Sequence, residues 1–141
     1  MSGTRFLFGP RHGTGVIVYS PMQTGILTDS FSLERVRRMA ADDWRRQGSE
    51  FQSPRLERNL SLRDALRPIA ARHSSTVSAV AIGWVLTWPG VTGAIVGARS
   101  AAQVDGWIGG ASLPLSQADL EEIAIAIQHT GAGKGSVSPG A

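Results

Sequence analysis

The chain has 141 residues, 42% of them hydrophobic, and a net charge of +3 that rests almost wholly on arginine, since Lys134 is its one lysine. That length suits one domain or part of one. No apolar run approaches the roughly 20 residues that cross a bilayer, and the first residues hold no signal-peptide core, so a cytoplasmic location is the expectation. With no cysteine there is no disulfide framework and no thiolate centre.

Met1 to Thr14 is weakly patterned and broken by Gly3, Gly9-Pro10 and Gly13; a turn of helix is the most it predicts. Gly15 to Tyr19 reads as a short buried strand, stopped by Ser20-Pro21 and followed by a small-residue loop. A helix is predicted near Ser32 to Ala41, capped by Ser32, with Leu33, Val36 and Ala40 on one face. Asp42 to Pro54 reads as a polar surface excursion anchored by Trp44 and Phe51. The next helix should begin at Pro54 with Ser53 as its cap and run to Arg72. Leu62, Ala65, Leu66 and Ile69 form its stripe, and Pro68 should kink or divide it near Arg67.

After His73-Ser74-Ser75, Thr76 caps a helix from Val77 to Thr87, which is apolar on two faces and so needs cover on two sides. Pro89-Gly90 ends it. Val91 to Val96 is the second buried strand. Ser100 and Gln103 form a capping-box pattern for a helix of about ten residues, and Leu113-Pro114-Leu115 is extended. Ser116 and Asp119 form another such box, for a final helix to about His129 striped by Leu120, Ile123, Ala124 and Ile127. Residues 1–130 make one domain, and the Gly/Ser/Pro-rich Gly131 to Ala141 is expected to be a disordered tail. The order predicts an α/β chain with two parallel strands joined by a helical crossover and followed by C-terminal helices. Two strands do not close a sheet, so an exposed apolar edge, and through it oligomerisation or poor solubility, is expected.

Three further classes fit poorly. The arginines alternate with acids, as in Glu34-Arg35, Asp43-Trp44-Arg45 and Arg63-Asp64, which is the pattern of solvated helix faces and not of a nucleic-acid patch. Leu66 to Leu86 has a helix-turn-helix outline, but its second helix is too apolar to lie in a DNA groove. His12, His73 and His129 lie far apart with no metal-ligand spacing; a place near a helix C-terminus accounts for His73 and His129. Trp44, Trp84 and Trp88 read as packing residues.

Four segments, in order, resemble the C-terminal end of the aldo/keto reductase family: GVIVYSPMQTGILT (Gly15 to Thr28), Ile69 to His73 leading into VAIGWVL (Val80 to Leu86), VTGAIVGARSAAQV (Val91 to Val104) and LPLSQADLEEI (Leu113 to Ile123). The resemblance runs from about His12 to Ile127. It implies a partial (β/α)8 TIM barrel in which Val16 to Tyr19 is strand seven and Ala94 to Val96 strand eight. It implies an NADP(H) cofactor and reduction of aldehydes or ketones to alcohols. By position, Tyr19 is implied to stack on the nicotinamide. Ser20, Pro21, Met22, Thr24 and Gly25 would follow the pyrophosphate, and Gly97, Ala98, Arg99, Ser100 and Gln103 would hold the adenosine 2′-phosphate.

Two departures matter. An acid and an asparagine that read the adenine commonly stand where this chain has Gly106 and Trp107; Asp105 is a neighbouring acid but not the matched one. The family's catalytic Tyr, Lys, Asp and His lie on earlier strands, and here the only tyrosine is Tyr19 and the only lysine Lys134. No catalytic residue is therefore assigned. A small carbonyl substrate is expected only where the missing part of the barrel is supplied, and the alternative is a non-catalytic fragment that binds a nucleotide or a partner chain, or has no function of its own.

Overall fold

The computed structural model describes residues 13–139, so His12 and most of the weakly patterned N-terminal stretch lie outside the described residues, as do the last two of the tail. Two strands, β1 (Val16–Tyr19) and β2 (Val91–Ile95), pair in parallel with Ile17 opposite Gly93 and Tyr19 opposite Ile95. Between them lie a 3-10 turn (Gln23–Gly25), α1 (Leu33–Arg37), two further 3-10 turns (Trp44–Gln47 and Ser49–Phe51), α2 (Arg55–Arg72) and α3 (Val77–Leu86). After β2 come α4 (Ala101–Asp105), a 3-10 turn (Ile108–Ser112) and α5 (Gln117–Thr130).

Helix starts follow the side chains that satisfy their free N–H groups. Ser32 accepts from Arg35 N, Thr76 from Ala79 N and Ser116 from Asp119 N, and Asp119 answers with the reciprocal bond that completes a capping box. Ser100 accepts from Gln103 N at 3.4 Å, but the Gln103 amide turns to the Arg99 N–H at 2.7 Å, so this box is incomplete. Its helix, α4, lasts five residues where about ten were expected. Ser53 makes no cap; the N-cap position of α2 falls on Pro54 with no side-chain bond.

Pro68 does not divide α2, which is continuous. Proline removes its own N–H and crowds the carbonyl four residues earlier. Both Pro68 and that residue, Asp64, face solvent, so the freed carbonyl keeps access to water.

Leu66, Ile69 and Ala70 of α2, Val77 and Val80 of α3 and Ile123 of α5 form the main core. Seven successive residues of α3, Val77 to Gly83, are buried, which meets the expectation of cover on two sides and leaves no face for a DNA groove. At the crossing with the Ile108–Ser112 turn, Gly110 is buried so closely that a Cβ there would sit 2.6 Å from the Ala79 carbonyl oxygen. Backbone cannot yield as a side-chain tip can. Gly110→Ala is expected to cost about 1–3 kcal/mol, read as a lower urea midpoint at unchanged m-value.

A second cluster, Ile26, Phe31, Met39, Phe51 and Leu56, fastens the 26–51 segment onto the start of α2. On α1 the buried contribution comes from Met39 just beyond its end and from Val36; Leu33 and Ala40 are exposed, against the predicted face. Phe51 is the expected anchor, while Trp44 stays 66% exposed and meets Phe51 edge-on.

Neither strand is fully buried as expected. Ile17 is 64% exposed, Tyr19 80% and Ile95 63%, because helices cover only the other face of the pair. The tail has no helix or strand through residue 139, and its first residue past the α5 cap, Ala132, is buried.

Candidate functional site

The carboxyl ends of adjacent parallel strands deliver two loops to one place. The loop after β1 and the loop after β2 line a single cavity of about 630 Å³. Ten of the eleven residues expected there are in its wall: Tyr19, Ser20, Pro21, Met22, Thr24, Gly25, Gly97, Ala98, Arg99 and Gln103. Ser100 is not; its hydroxyl caps α4. A smaller cavity of about 290 Å³ lies on the helix side of the same strand, so Tyr19, Ser20 and Pro21 form the partition between the two.

The first loop is conformationally costly. Ser20, Gln23 and Thr24 hold φ of 54°, 49° and 57°, and Gly25 follows at 97°. Three non-glycine residues in the left-handed region within five positions concentrate strain where function commonly uses it. The geometry is held from several sides. Gln23 N donates to Ser20 O at 2.9 Å, Leu27 N to Met22 O at 3.1 Å and the Thr28 hydroxyl to Gly25 O at 2.8 Å.

Behind that loop, residues 27–31 are tied to two helices. Arg63 donates to the Phe31 carbonyl, Arg67 to the Asp29 carbonyl at 3.0 Å, and the Asp29 carboxylate accepts the Val77 N–H at 3.1 Å at the start of α3. Asp64 bridges the two arginines; burial alone would raise its pKa, but bonds from Arg67 and Arg63 outweigh that and lower it.

Sequence reasoning missed two arginines of the third wall. Arg45, on the excursion, lines the cavity, as do Arg35 from α1 and Trp107 after α4. Arg45 is held by Asp43, which caps the 3-10 turn through Arg45 N at 3.0 Å and accepts from the guanidinium at 2.9 Å. That hydrogen bond brings the Asp43 pKa to about 2, with a smaller contribution from the positive charge of Arg99. Asp-x-Arg ahead of a 3-10 turn was the available signal, but nothing in its spacing says which loop it faces.

Along the loop after β2, the Gln103 carbonyl oxygen holds the Arg99 N–H, and the Gly106 carbonyl accepts from Thr76. The cavity wall thus holds an exposed aromatic, a run of small-residue backbone, and the arginines Arg99 and Arg45. A flat ring, a row of close backbone and fixed cations suit a flat heterocycle joined to phosphates.

The model of the aldo/keto reductase family matches residues 6–128. An aldo-keto reductase of Glycine max is 27% identical over 115 residues, covering 82% of this chain and 32% of that protein. The aldo-keto reductase YhdN of Bacillus subtilis is 28% identical, over 81% of this chain and 34% of its own. The NADH-specific methylglyoxal reductase of Escherichia coli is 27% identical, over 84% and 36%. The chain therefore spans about a third of the length of these relatives. In structure, the glycerol dehydrogenase of Gluconobacter oxydans superposes with a TM-score of 0.79 at 24% identity, covering 93% of this chain and 39% of that one. The two parallel strands with their helices are thus part of a (β/α)8 barrel. A family match running from before β1 nearly to the end of α5, across both loops of the cavity, leaves one assignment: the chain belongs to the aldo/keto reductase family.

Proposed function

We propose that this chain is the nucleotide-binding part of an NADP(H)-dependent oxidoreductase that reduces aldehydes or ketones to alcohols. The observation that carries the reading is the single cavity fed by both strand ends, with Tyr19, 80% exposed, and Arg99 both in its wall. In this reading Tyr19 offers its face to the nicotinamide, Ser20 to Gly25 follow the pyrophosphate, and Gly97 to Arg99 with Gln103 surround the 2′-phosphate. The cofactor supplies the hydride when bound. The residues present bind and orient it.

The proton that a carbonyl needs comes from elsewhere. Tyr19 is the only tyrosine and Lys134, the only lysine, lies beyond α5 in the tail, so the chain holds no Tyr-Lys pair to serve as a tuned acid. Activity then requires the part of the barrel that the chain does not span. The exposed face of Ile17, Tyr19 and Ile95 favours a second reading beside it, a chain that binds nucleotide but is completed by another polypeptide or another copy. Among the described residues no helix is long and apolar enough to cross a membrane.

The test uses the full chain. Equilibrium dialysis is expected to show binding of NADPH, tighter than NADH, and an aldehyde is expected to cause no NADPH oxidation above background. One relative is named for NADH, so both nucleotides are measured. Failure of both to bind would overturn the site; turnover by the chain alone would overturn the missing acid. Size-exclusion chromatography should give a species larger than a monomer, and a sharp monomer peak would count against the exposed face as a contact surface.

A further inference from the structure

We infer that the base of the nucleotide is held by stacking on Trp107 and that the 6-amino group of adenine is left unread. The inference rests on the nucleotide-site reading above and adds to it a specificity that the chain's own residues define.

The chain path orders the cavity. Tyr19 and Ile95 stand at the strand ends, Gly97 to Arg99 follow, and α4 then carries the wall to Gln103, Gly106 and Trp107. A base beyond a phosphate at Arg99 meets this last group. Its acceptor oxygens are already engaged. The Gln103 carbonyl oxygen is taken by the Arg99 N–H at 2.7 Å, leaving an amide donor that the 6-amino group of adenine, itself a donor, cannot satisfy. Gly106 donates to the Ala102 carbonyl at 3.2 Å and accepts from the Thr76 hydroxyl, which in turn accepts the Ala79 N–H. Asp105, the nearby carboxylate, is exposed and is not part of the wall.

Trp107 differs from all of these. It lines the cavity and is only half-buried, yet its indole N–H is fully enclosed and meets no acceptor among the described residues. The ring therefore presents carbon, and not its donor, to the cavity. A flat carbon surface binds any purine through its π-face, and such stacking tolerates changes at the base edge. Gly106 beside it brings no side chain over the ring.

Two modified nucleotides test this on the full chain by equilibrium dialysis: the reduced hypoxanthine analogue of NADPH, which lacks the 6-amino group, and 1,N6-etheno-NADP, in which that group is blocked. The hypoxanthine analogue is expected to bind within about threefold of NADPH, and etheno-NADP within about threefold of NADP. The etheno fluorescence should fall on binding, as a stacked indole quenches it. Trp107→Leu should weaken every nucleotide by about tenfold and abolish the quenching, while Trp107→Phe retains most of the affinity. NADPH binding with tenfold or greater loss for the hypoxanthine analogue would overturn the inference and leave the nucleotide site standing, as would Trp107→Leu with unchanged affinities. Absence of binding by all of the nucleotides would overturn the site reading and this inference together.

Discussion

Asp119→Ala is expected to lower stability by about 3 kcal/mol and the melting temperature by roughly 10 °C, the largest loss for any single polar side chain described here. Asp119 is 1% exposed and joins two parts of the fold. Its carboxylate accepts the Ser116 N–H at 2.8 Å, closing the cap of α5, and bonds His73 Nε2 at 2.8 Å and the Arg72 guanidinium at the end of α2. Loss of the cap alone costs about 1 kcal/mol, and each bond to a charged group about 1.5–3 kcal/mol. The terms do not add fully, because Arg72 is half exposed and keeps Glu122 at 2.8 Å. Asp119→Asn, which keeps the shape and one acceptor, should recover part of the loss.

The same group sets an acid limit. Burial opposes its ionisation, but the Ser116 hydroxyl and N–H, then His73 and Arg72, outweigh that and hold its pKa well below the carboxylate range. A carboxylate depressed in the folded state stabilises fully above its unfolded pKa, near 4, and loses that contribution as pH falls toward the folded value. Urea midpoints should therefore be flat from pH 7 to about 5 and fall below about 4. The fall should be shallower in Asp119→Asn. Equal acid slopes in the two proteins would show that the depression belongs to other carboxylates, Asp43 foremost.

What the sequence could convey follows from how local each cause is. Ser32, Thr76 and Ser116 cap helices through a residue three positions on, and those starts were legible. The cavity loops were legible because each directly follows a strand. The roles of Asp119 were not, since its bonds to Arg72 and His73 span 47 and 46 positions. Arg45 faces the cavity only because Phe51 and Met39 seat the excursion on Leu56, a tertiary fact with no periodic trace. Burial of the strands was overestimated because apolar content reports what a strand would bury in a closed sheet, and here one face has no cover.

Arg99→Ala is expected to weaken NADPH binding by roughly ten- to a hundredfold while changing NADH binding less than about threefold. The argument turns on what holds the loop. Gln103 grips Arg99 through its backbone N–H at 2.7 Å, a group that alanine keeps, and Ser100 caps α4 independently. The side chain can therefore be removed without releasing the loop. Its charge already reaches across the cavity, since it contributes to the low pKa of Asp43. Arg45 is not free to replace it, being engaged by Asp43 through both guanidinium Nε and Nη2. A charge-assisted bond to a phosphate lost without substitute costs about 1.5–3 kcal/mol, and NADH, which lacks that phosphate, does not feel it. Raising the salt concentration should narrow the gap between the two nucleotides in the wild-type chain and leave it nearly unchanged in the variant, because screening acts on the charge that the variant has lost. Equal weakening of both nucleotides would instead identify Arg99 as a support of the loop, and the preference for the phosphorylated cofactor would then have to come from Arg35, which also lines the cavity.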